Sequence, residues 1–460
     1  MTDHLILNGF IQCSPNHQIK GMWKHPLDET SRGYRDLRWW IRLAELLERG
    51  RLDALFFADV HGSYDTYGGN RDAAVRHAVQ FPGIDPTVLI PALAAATEHL
   101  GFGVTYSTTY FAPYQAAKLF STLDHLTDGR IAWNVVTSYL PDAQRQGLGV
   151  HLDHDLRYDR ADEYLDVCYR LWHDSWDDGA IVLDVANDVH TDPSKVHEID
   201  HHGEWFDVQG PHMVEPSPQR TPVIFQAGAS DRGMQFAARH AEAVFVAVTP
   251  GPSGAELVAR LRETAGGEER DPDGMKVIQA TRLIVAETDA EAEAMRADWD
   301  RLFSVEGFLA LFAGWTGIDL SGHPPDTPVA SIPTNAMRTW VDRWQREDPD
   351  RTWTVGDVAR RLAEGGSGTA FVGSASTVAD QLEQFAADTG VDGFNLITSP
   401  VPWGLEQVVD HLVPELQRRG RFRREYSDGE TLRERWFGPG AMHPRADAAG
   451  RHAGAEASGA

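Results

Sequence analysis

Short apolar runs alternate with segments of helical periodicity along most of the chain. Eight of these runs are candidate strands, at residues 5–10, 53–59, 101–107, 130–138, 222–228, 243–248, 275–286 and 393–398. Each is nearly continuous in apolar residues, which is typical of strands buried on both faces of a parallel sheet. Eight such strands separated by helices predict an α/β fold, a (β/α)8 TIM barrel. A doubly wound open sheet is the alternative.

The segments between the runs carry apolar residues at helical spacing. They predict helices at about residues 37–47, 87–99, 115–126, 160–173, 231–240, 375–388 and 406–419. A further helix is predicted after Thr288, because Thr288 and Glu291 match the capping-box pattern.

Three longer stretches interrupt this alternation, at about residues 61–85, 174–220 and 308–368. The last two follow strands four and seven and are predicted insertions into the barrel. A hairpin is predicted near residues 201–210, whereas the Gly-, Pro- and Trp-rich stretch 308–368 is predicted to be irregular. We expect a single barrel domain over residues 1–438, and a disordered C-terminal tail over the small and polar residues 439–460.

Charge and cysteine content narrow the possible partners and compartment. The formal net charge is −26, and such an acidic chain is a poor partner for nucleic acid or for an anionic membrane. Two cysteines, Cys13 and Cys168, cannot form a disulfide framework. The N-terminus lacks the pattern of a signal peptide, and no apolar run is long enough to cross a membrane. We therefore expect a cytoplasmic protein.

Candidate chemistry collects where the strands end, which in a barrel is the active-site face. Asn134 lies inside the fourth strand, and a buried amide costs a few kcal/mol unless it is hydrogen-bonded. Asn134 therefore predicts either a ligand contact or a structural network inside the barrel. Other residues in or just after the carboxyl ends of the strands are Cys13, His17, Asp59, His61, Tyr64, Thr105, Ser107, Thr108, Thr137, Ser138, Tyr139, Gln226, Gly228 and Ser230.

The segment QAGASDRG, residues 226–233, leads from a strand into a helix start. Backbone N–H groups at such a turn can bind an anion, and Ser230 adds a hydroxyl donor. A phosphate site and a tight turn that simply needs glycine both fit this pattern.

Several other mechanisms lack their motifs. The chain has no P-loop, no glycine-rich dinucleotide fingerprint after the first strand and no GxSxG. The acidic and histidine residues 151–155 are better explained as a helix start than as a metal site, so we expect no metal.

Four segments together resemble the bacterial-luciferase-like flavin monooxygenases. They are FFADV (56–60), DGRIAWNVVTSY (128–139), HDLRYDRADEY (154–164) and EPSPQRTPVIFQAGAS (215–230), extended by FAGWTGIDL (312–320) and GVDGFNLIT (390–398). The resemblance covers about residues 4–435. More narrowly, the chain resembles the branch of this family that contains nitrilotriacetate, dibenzothiophene-sulfone, long-chain-alkane and dimethyl-sulfide monooxygenases.

This resemblance implies a two-component monooxygenase. Reduced FMN (FMNH2) would come from a separate NAD(P)H-dependent flavin reductase by diffusion, react with O2 as a C4a-(hydro)peroxyflavin, and oxygenate a small molecule. The family pattern implies cofactor contacts from Asp59, Thr105, Asn134, His154, Tyr158, Ala229 and Ser230, and catalytic roles for His17, Tyr64 and Tyr139. It also implies a homodimer or homotetramer.

Departures from the relatives bear on the substrate. Tyr139 and Leu311 stand where alkane-oxidising relatives tend to carry histidine, and Gln80 and Leu311 are expected to line the substrate pocket. We expect a small or elongated apolar substrate, either an organosulfur compound or an alkane-like chain. Alternatives are an aminopolycarboxylate-type substrate, an F420-dependent hydride-transfer oxidoreductase on the same barrel, and a flavin-binding protein without turnover.

Overall fold

In this computed structural model the described residues are 4–15, 20–148, 152–228, 230–248, 250–268, 270–332, 351–363 and 370–444. Within them, one parallel sheet contains β1 (Ile6–Gln12), β2 (Ala54–Ala58), β3 (Gly101–Ser107), β4 (Ile131–Val136), β5 (Val223–Gln226), β6 (Ala243–Val246), β7 (Lys276–Ala286), β8 (Ala370–Ser374) and β9 (Gly393–Ile397). Pairing of β6 with β7, β7 with β9 and β9 with β1 closes eight strands into a ring. The predicted (β/α)8 barrel is confirmed, and the open sheet is wrong.

The ninth strand was not predicted. β8 pairs with the last five residues of β7, from Arg282 to Ala286. β7 is eleven residues long: its first seven residues pair within the barrel, and Arg282, the last of these, also begins the pairing with β8. The short run AFVGS gave too little apolar sequence to mark a strand.

The longer helices are α1 (Leu37–Arg49), α2 (Pro113–Leu126), α3 (His154–His173), α4 (Asp231–His240), α5 (Pro252–Gly267), α6 (Asp289–Leu302), α7 (Val305–Thr316), α8 (Val355–Ala363) and α9 (Ala375–Thr389). Shorter helical segments are Met22–Lys24, Thr30–Gly33, Tyr67–Gly69, Asp72–Arg76, Pro86–Val88, Ile90–Ala94, Pro141–Arg145, Pro193–Lys195, Pro272–Gly274, Val329–Ser331, Trp403–Gln407, Val408–Leu412, Val413–Arg418 and Leu432–Phe437. α3 begins six residues before its predicted start, and the helix predicted at 87–99 is only two short turns. The capping box of Thr288 and Glu291 opens α6 as predicted.

The insertions lie after β4 and β7. The first contains two antiparallel hairpins, Ile181–Asp184 with Val189–Thr191 and His201–His202 with Asp207–Val208. The second was predicted to be irregular over 308–368, which is wrong for α7 and α8. Both helices bury apolar side chains in one cluster that includes Phe308, Phe312, Val355 and Val358. This shared burial outweighs the low helix propensity of the glycines in the segment.

A C-terminal helix, Leu432–Phe437, closes the amino-terminal end of the barrel. Leu432 and Trp436 pack against the strand residues that fill the barrel interior. The Trp436 indole donates to Asp53 Oδ1 at 2.9 Å, and Arg433 forms a buried ion pair with Glu242 at 2.6 Å. The opposite end, where the strands finish, remains available for a site.

Beyond this helix, part of the predicted tail is packed on the barrel. The ring of His443 lies 5.0 Å from that of Tyr169, and His443 is buried. Residues 445–460 lie outside the described residues. Across the described chain no helix is both long and apolar enough to cross a bilayer.

Candidate active site

A cavity of about 380 Å³ opens at the carboxyl ends of β2 to β5. Its lining residues are Asp59, Val60, His61, Thr105, Ser107, Tyr110, Val135, Val136, Thr137, Ser138, Tyr139, Leu140, His154, Arg157, Tyr158, Gln226, Ala227, Gly228, Ser230 and Trp315. We call it the first cavity. It mixes apolar surface with polar groups from several strands, as ligand sites at this end of a barrel do.

One part of the first cavity is the turn between β5 and α4. Ser230 is the N-cap of α4, and its Oγ accepts a hydrogen bond from the Gly233 N–H at 3.1 Å. A Cβ on Gly228 would lie 2.4 Å from Gln226 Nε2 and 2.6 Å from the Tyr158 hydroxyl, so a larger residue would displace both side chains. A helix N-terminus with a hydroxyl at its cap can bind an anion such as a phosphate.

The helix α3 supplies the wall facing this turn. His154 and Tyr158 lie one helical turn apart, with Arg157 between them, and all three line the first cavity. His154 Nε2 is 3.4 Å from Ser230 Oγ. Burial raises the pKa of the Tyr158 hydroxyl, which therefore remains a neutral hydrogen-bonding group. The side chains of His154, Arg157 and Tyr158 and the N-terminus of α4 thus line the same cavity.

Asn134 and Thr105 form a buried pair deeper in the barrel mouth. The strands β3 and β4 align the two residues in register. Asn134 Nδ2 donates to Thr105 Oγ1 at 2.9 Å, and Thr105 Oγ1 donates to the Phe57 carbonyl at 3.0 Å. Asn134 Oδ1 is buried and accepts no hydrogen bond from the described residues. Because an unpaired buried acceptor is costly, the pair is complete only when something donates to this oxygen.

Asp59 and His61 lie at the end of β2, with Asp59 Oδ2 3.9 Å from His61 Nε2. Burial raises the pKa of the Asp59 carboxyl to about 7, and the negative charge of Asp85 adds to the rise. Burial also lowers the pKa of His61. Near neutral pH the site therefore holds a carboxyl poised between its two protonation states beside a neutral imidazole.

A chain of hydrogen bonds joins Tyr139, Tyr64 and Gln80. The hydroxyl oxygens of Tyr64 and Tyr139 are 2.7 Å apart, and the Tyr64 hydroxyl donates to Gln80 Oε1 at 3.2 Å. Burial raises the pKa of Tyr64 well above its usual value and that of Tyr139 to about 12. Both tyrosines therefore remain protonated over the physiological pH range.

A second cavity, of about 440 Å³, adjoins the first along Asp59, Val60 and His61. Its wall includes Cys13 and Gln80, and also Asp142, which accepts hydrogen bonds from the Ser63 N–H at 2.8 Å and the Ser63 hydroxyl at 2.7 Å. The remaining lining residues are Gln12, Ser14, Ala58, Gly62, Ser63, Arg71, Phe81, Gly83, Ile84, Asp85, Gln146 and Leu148. Two neighbouring compartments therefore share the end of β2.

Comparison with known proteins places the chain in a family. A family model described as luciferase-like monooxygenase matches residues 21–393. The chain is 45% identical over 443 residues to the long-chain alkane monooxygenase of Geobacillus thermodenitrificans, covering 96% of each chain. The chain belongs to the luciferase-like monooxygenase family.

Two further relatives agree with this assignment. The luciferase-like chain is 43% identical to the dimethyl-sulfide monooxygenase of Hyphomicrobium sulfonivorans, over 99% of this chain and 96% of the relative. It superposes with a TM-score of 0.86 on the crystal structure of a riboflavin lyase with modified FMN and substrate riboflavin, at 34% identity, covering 96% and 98% of the two chains. The chain is accordingly a flavin-dependent monooxygenase of the luciferase-like family.

In this luciferase-like monooxygenase the structure brings most of the predicted site residues to one place. The first cavity is lined by Asp59, Thr105, Tyr139, His154, Tyr158 and Ser230. Asn134 is bonded to Thr105 beside it, and Gln80 lines the second cavity. His17 and Ala229 lie outside the described residues.

Two predicted site residues lie behind the surface of these cavities. Leu311 is completely buried on α7, in a cluster with Tyr64, Val79 and Leu140, and lines neither of the two cavities. α7 turns this face inward, which the prediction of an irregular segment could not anticipate. Tyr64 is likewise only 1% exposed.

Sequence reasoning missed Trp315 and Arg157, both of which line the first cavity. Trp315 lies on α7, where Phe308, Phe312 and Trp315 recur at helical spacing. This periodicity was the available signal, but the composition of the segment 308–368, rich in Gly, Pro and Trp, led to the prediction of irregular structure.

The residues of the first cavity fit a flavin. The unpartnered Asn134 Oδ1 suits a donor such as a ribityl hydroxyl, and the glycine turn beside Ser230 suits a phosphate. Val135, Val136 and Leu140 supply apolar surface for an aromatic ring system between polar groups.

Proposed function

We propose that this chain is the oxygenase component of a two-component system. It takes FMNH2 from a separate NAD(P)H-dependent flavin reductase and uses O2 to oxygenate a small or elongated apolar substrate, an organosulfur compound or an alkane-like chain. The observation that carries this proposal is the first cavity, which combines an anion-binding turn with apolar surface and has the buried Asn134–Thr105 pair beside it.

Each group of residues has a role in this proposal. Ser230 and the start of α4 would hold the phosphate, with His154, Arg157 and Tyr158 as the facing wall. Thr105 and Asn134 would bind the ribityl chain. Bound reduced flavin supplies the reaction with O2. The protein holds the flavin in place and excludes bulk water from it.

Asp59 offers a titratable group at the boundary between the two cavities. A carboxyl whose pKa is about 7 can give or take a proton at neutral pH, which suits general acid–base work beside the reacting atoms. The second cavity, which Gln80 lines, is the proposed place for substrate. His17 remains a proposed proton donor, and Ala229 remains part of the proposed phosphate turn.

The names of the relatives support the substrate class. Long-chain alkanes and dimethyl sulfide appear in the names of two relatives that match nearly the whole chain. We propose that the functional chain is a single barrel domain over residues 1–438, cytoplasmic, and a homodimer or homotetramer, with flavin passing from the reductase by diffusion.

The test combines the purified chain with FMN, an NAD(P)H-dependent flavin reductase and ¹⁸O2. Dimethyl sulfide and a series of n-alkanes serve as substrate probes. We expect oxygen-dependent turnover of at least one probe, with one ¹⁸O atom in the product. The double variant Ser230→Ala/Tyr158→Phe should bind FMN more weakly, whereas Tyr114→Phe, whose hydroxyl donates to the Pro211 carbonyl away from both cavities, should not.

Absence of FMN binding, or of ¹⁸O incorporation with every probe, would contradict this proposal. Anaerobic turnover with F420 in place of FMN would support the hydride-transfer alternative instead.

A further inference from the structure

The chain of hydrogen bonds through Tyr139, Tyr64 and Gln80 connects the two cavities. Tyr139 lines the first cavity and Gln80 lines the second, whereas Tyr64 lies between them. A change in the contents of the first cavity can therefore reach the wall of the second through two hydroxyl groups and one amide.

The two tyrosines differ sharply in what they can touch. Tyr139 is 36% exposed, toward the first cavity, but Tyr64 is only 1% exposed. A Cβ on Gly314 would lie 2.1 Å from Tyr64 Cδ1, which shows that the Tyr64 ring lies directly against the backbone of α7. Leu311 and Ala310 bury Tyr64 further. The hydroxyl of Tyr64 therefore has no surface to offer a ligand unless the ring leaves this packing.

Tyr139, by contrast, lines the first cavity, and its hydroxyl is oriented by a hydrogen bond. Its only hydroxyl partner in the described chain is Tyr64, at 2.7 Å, a distance at which one hydrogen lies between the two oxygens. Tyr64 is itself fixed by Gln80 Oε1 and by its packing. The rotation of the Tyr139 hydroxyl is thus set by Tyr64, and the Trp315 side chain, which lines the first cavity, also hydrogen-bonds to both tyrosines.

Resting on the proposed function, we propose that Tyr139 carries the hydroxyl that contacts the bound flavin, and that Tyr64 is a positioning residue that acts through Tyr139. The family resemblance implies catalytic roles for both tyrosines. Under this proposal Tyr139 makes the contact with the flavin, and Tyr64 orients Tyr139. Tyr139 is the position at which this chain differs from its alkane-oxidising relatives, so the contact belongs to this chain's own site.

The first experiment uses ¹⁹F NMR of the full chain labelled with 3-fluorotyrosine. The eleven tyrosines give resonances that are assigned from Tyr64→Phe, Tyr139→Phe and Tyr158→Phe variants. On addition of oxidised FMN we expect the resonances of Tyr139, Tyr64 and Tyr158 to shift. In Tyr139→Phe the Tyr64 resonance should no longer respond, whereas in Tyr64→Phe the Tyr139 resonance should still respond.

A Tyr64 resonance that still shifts in Tyr139→Phe would overturn the inference, because Tyr64 would then sense FMN directly or through Trp315 rather than through Tyr139. A Tyr139 resonance that remains fixed in the unmodified chain while that of Tyr158 shifts would also overturn it. If none of the three resonances responds, FMN does not bind, and the proposed function itself has failed.

The second measurement is the affinity for oxidised FMN, followed by quenching of flavin fluorescence. We expect Tyr139→Phe to raise Kd about fivefold, the loss of one hydrogen bond, and Tyr64→Phe to raise it less. The double variant should match Tyr139→Phe, because a positioning residue has no effect once the residue it positions is changed. Losses that multiply in the double variant would overturn the inference, and Tyr114→Phe is the matched control.

Discussion

At the scale of single residues, hydrogen bonds between neighbouring strands explain why polar side chains are buried at the barrel mouth. The amide of Asn134 looked out of place inside an apolar strand, and its position is explained by Thr105 on the neighbouring strand. Only half of the amide is used in this contact, since Oδ1 accepts nothing from the described residues. Asn134 Oδ1 is one of several buried polar atoms without a hydrogen-bond partner among the described residues, and such an atom needs a donor from a ligand or an ordered water.

Replacing Asn134 by leucine separates these two roles. The substitution removes one hydrogen bond to Thr105 but also an unpaired buried acceptor, so the free energy of unfolding should change by less than about 1 kcal/mol without flavin. Affinity for FMN should fall about tenfold or more, since one good hydrogen bond to the ligand is lost. Urea unfolding and fluorescence titration provide the two measurements. A large loss of stability with unchanged affinity would mean that the amide is structural.

Asp59 should make the stability of the protein depend on pH. Its pKa is about 7 in the folded state and near 3.8 when unfolded, so between these values the folded state binds a proton that the unfolded state lacks. Stability is therefore lost as pH rises from about 4 to 7. Asp59→Asn should raise the free energy of unfolding at pH 8 by about 2 kcal/mol, less than the full linkage value because the carboxyl borders a cavity open to water. This gain should shrink below pH 7 and vanish near pH 4. Urea unfolding without flavin checks it, and a gain that is constant with pH would exclude this cause.

At the scale of elements, the sequence predicted the strands that are continuous in apolar residues and most of the helices in which apolar residues recur at helical spacing. The eight apolar runs gave the eight barrel strands, and the strand ends gave Asp59, Thr105 and Ser230 at the cavity. α7 was missed because its apolar face is buried against Tyr64 and against α8, contacts distant in the chain. As a consequence, Leu311 was predicted to line the substrate pocket although it lies behind the cavity walls. Trp315, which lines the first cavity, was not predicted. The family resemblance named residues but could not say which of two hydroxyl groups faces the cavity.

The contact between α7 and Tyr64 predicts the effect of a single methyl group. Gly314→Ala places a Cβ within 2.1 Å of the Tyr64 ring, which must move and lose its hydrogen bond to Tyr139. We expect a loss of stability of about 1–3 kcal/mol from overpacking, together with weaker FMN binding. Gly322→Ala is the control, because a Cβ there meets nothing within 4 Å. Thermal unfolding and FMN titration check the pair, and equal behaviour of the two variants would contradict the packing argument.

At the scale of the whole molecule, the two ends of the barrel have separate tasks. The site lies at the carboxyl ends of the strands, whereas the C-terminal helix closes the other end. Arg433 connects this closure to the sheet, since Glu242 also accepts a hydrogen bond from the Ile224 N–H at the start of β5. Folding of the last part of the described chain is thereby coupled to closure of the barrel around it.

This buried ion pair predicts a stability defect without a binding defect. Arg433→Met leaves Glu242 as an uncompensated buried charge, which should lower the free energy of unfolding by about 3–5 kcal/mol. Adding Glu242→Gln should recover part of this loss, because the remaining group is then neutral. Arg49→Met, which breaks the exposed pair with Asp410, should cost less than about 1 kcal/mol. FMN affinity of the folded Arg433→Met protein should equal that of the unmodified chain, since the pair lies at the opposite end from the first cavity. Denaturant unfolding and FMN titration decide the matter, and a loss of affinity in the fully folded variant would show that the two ends are coupled.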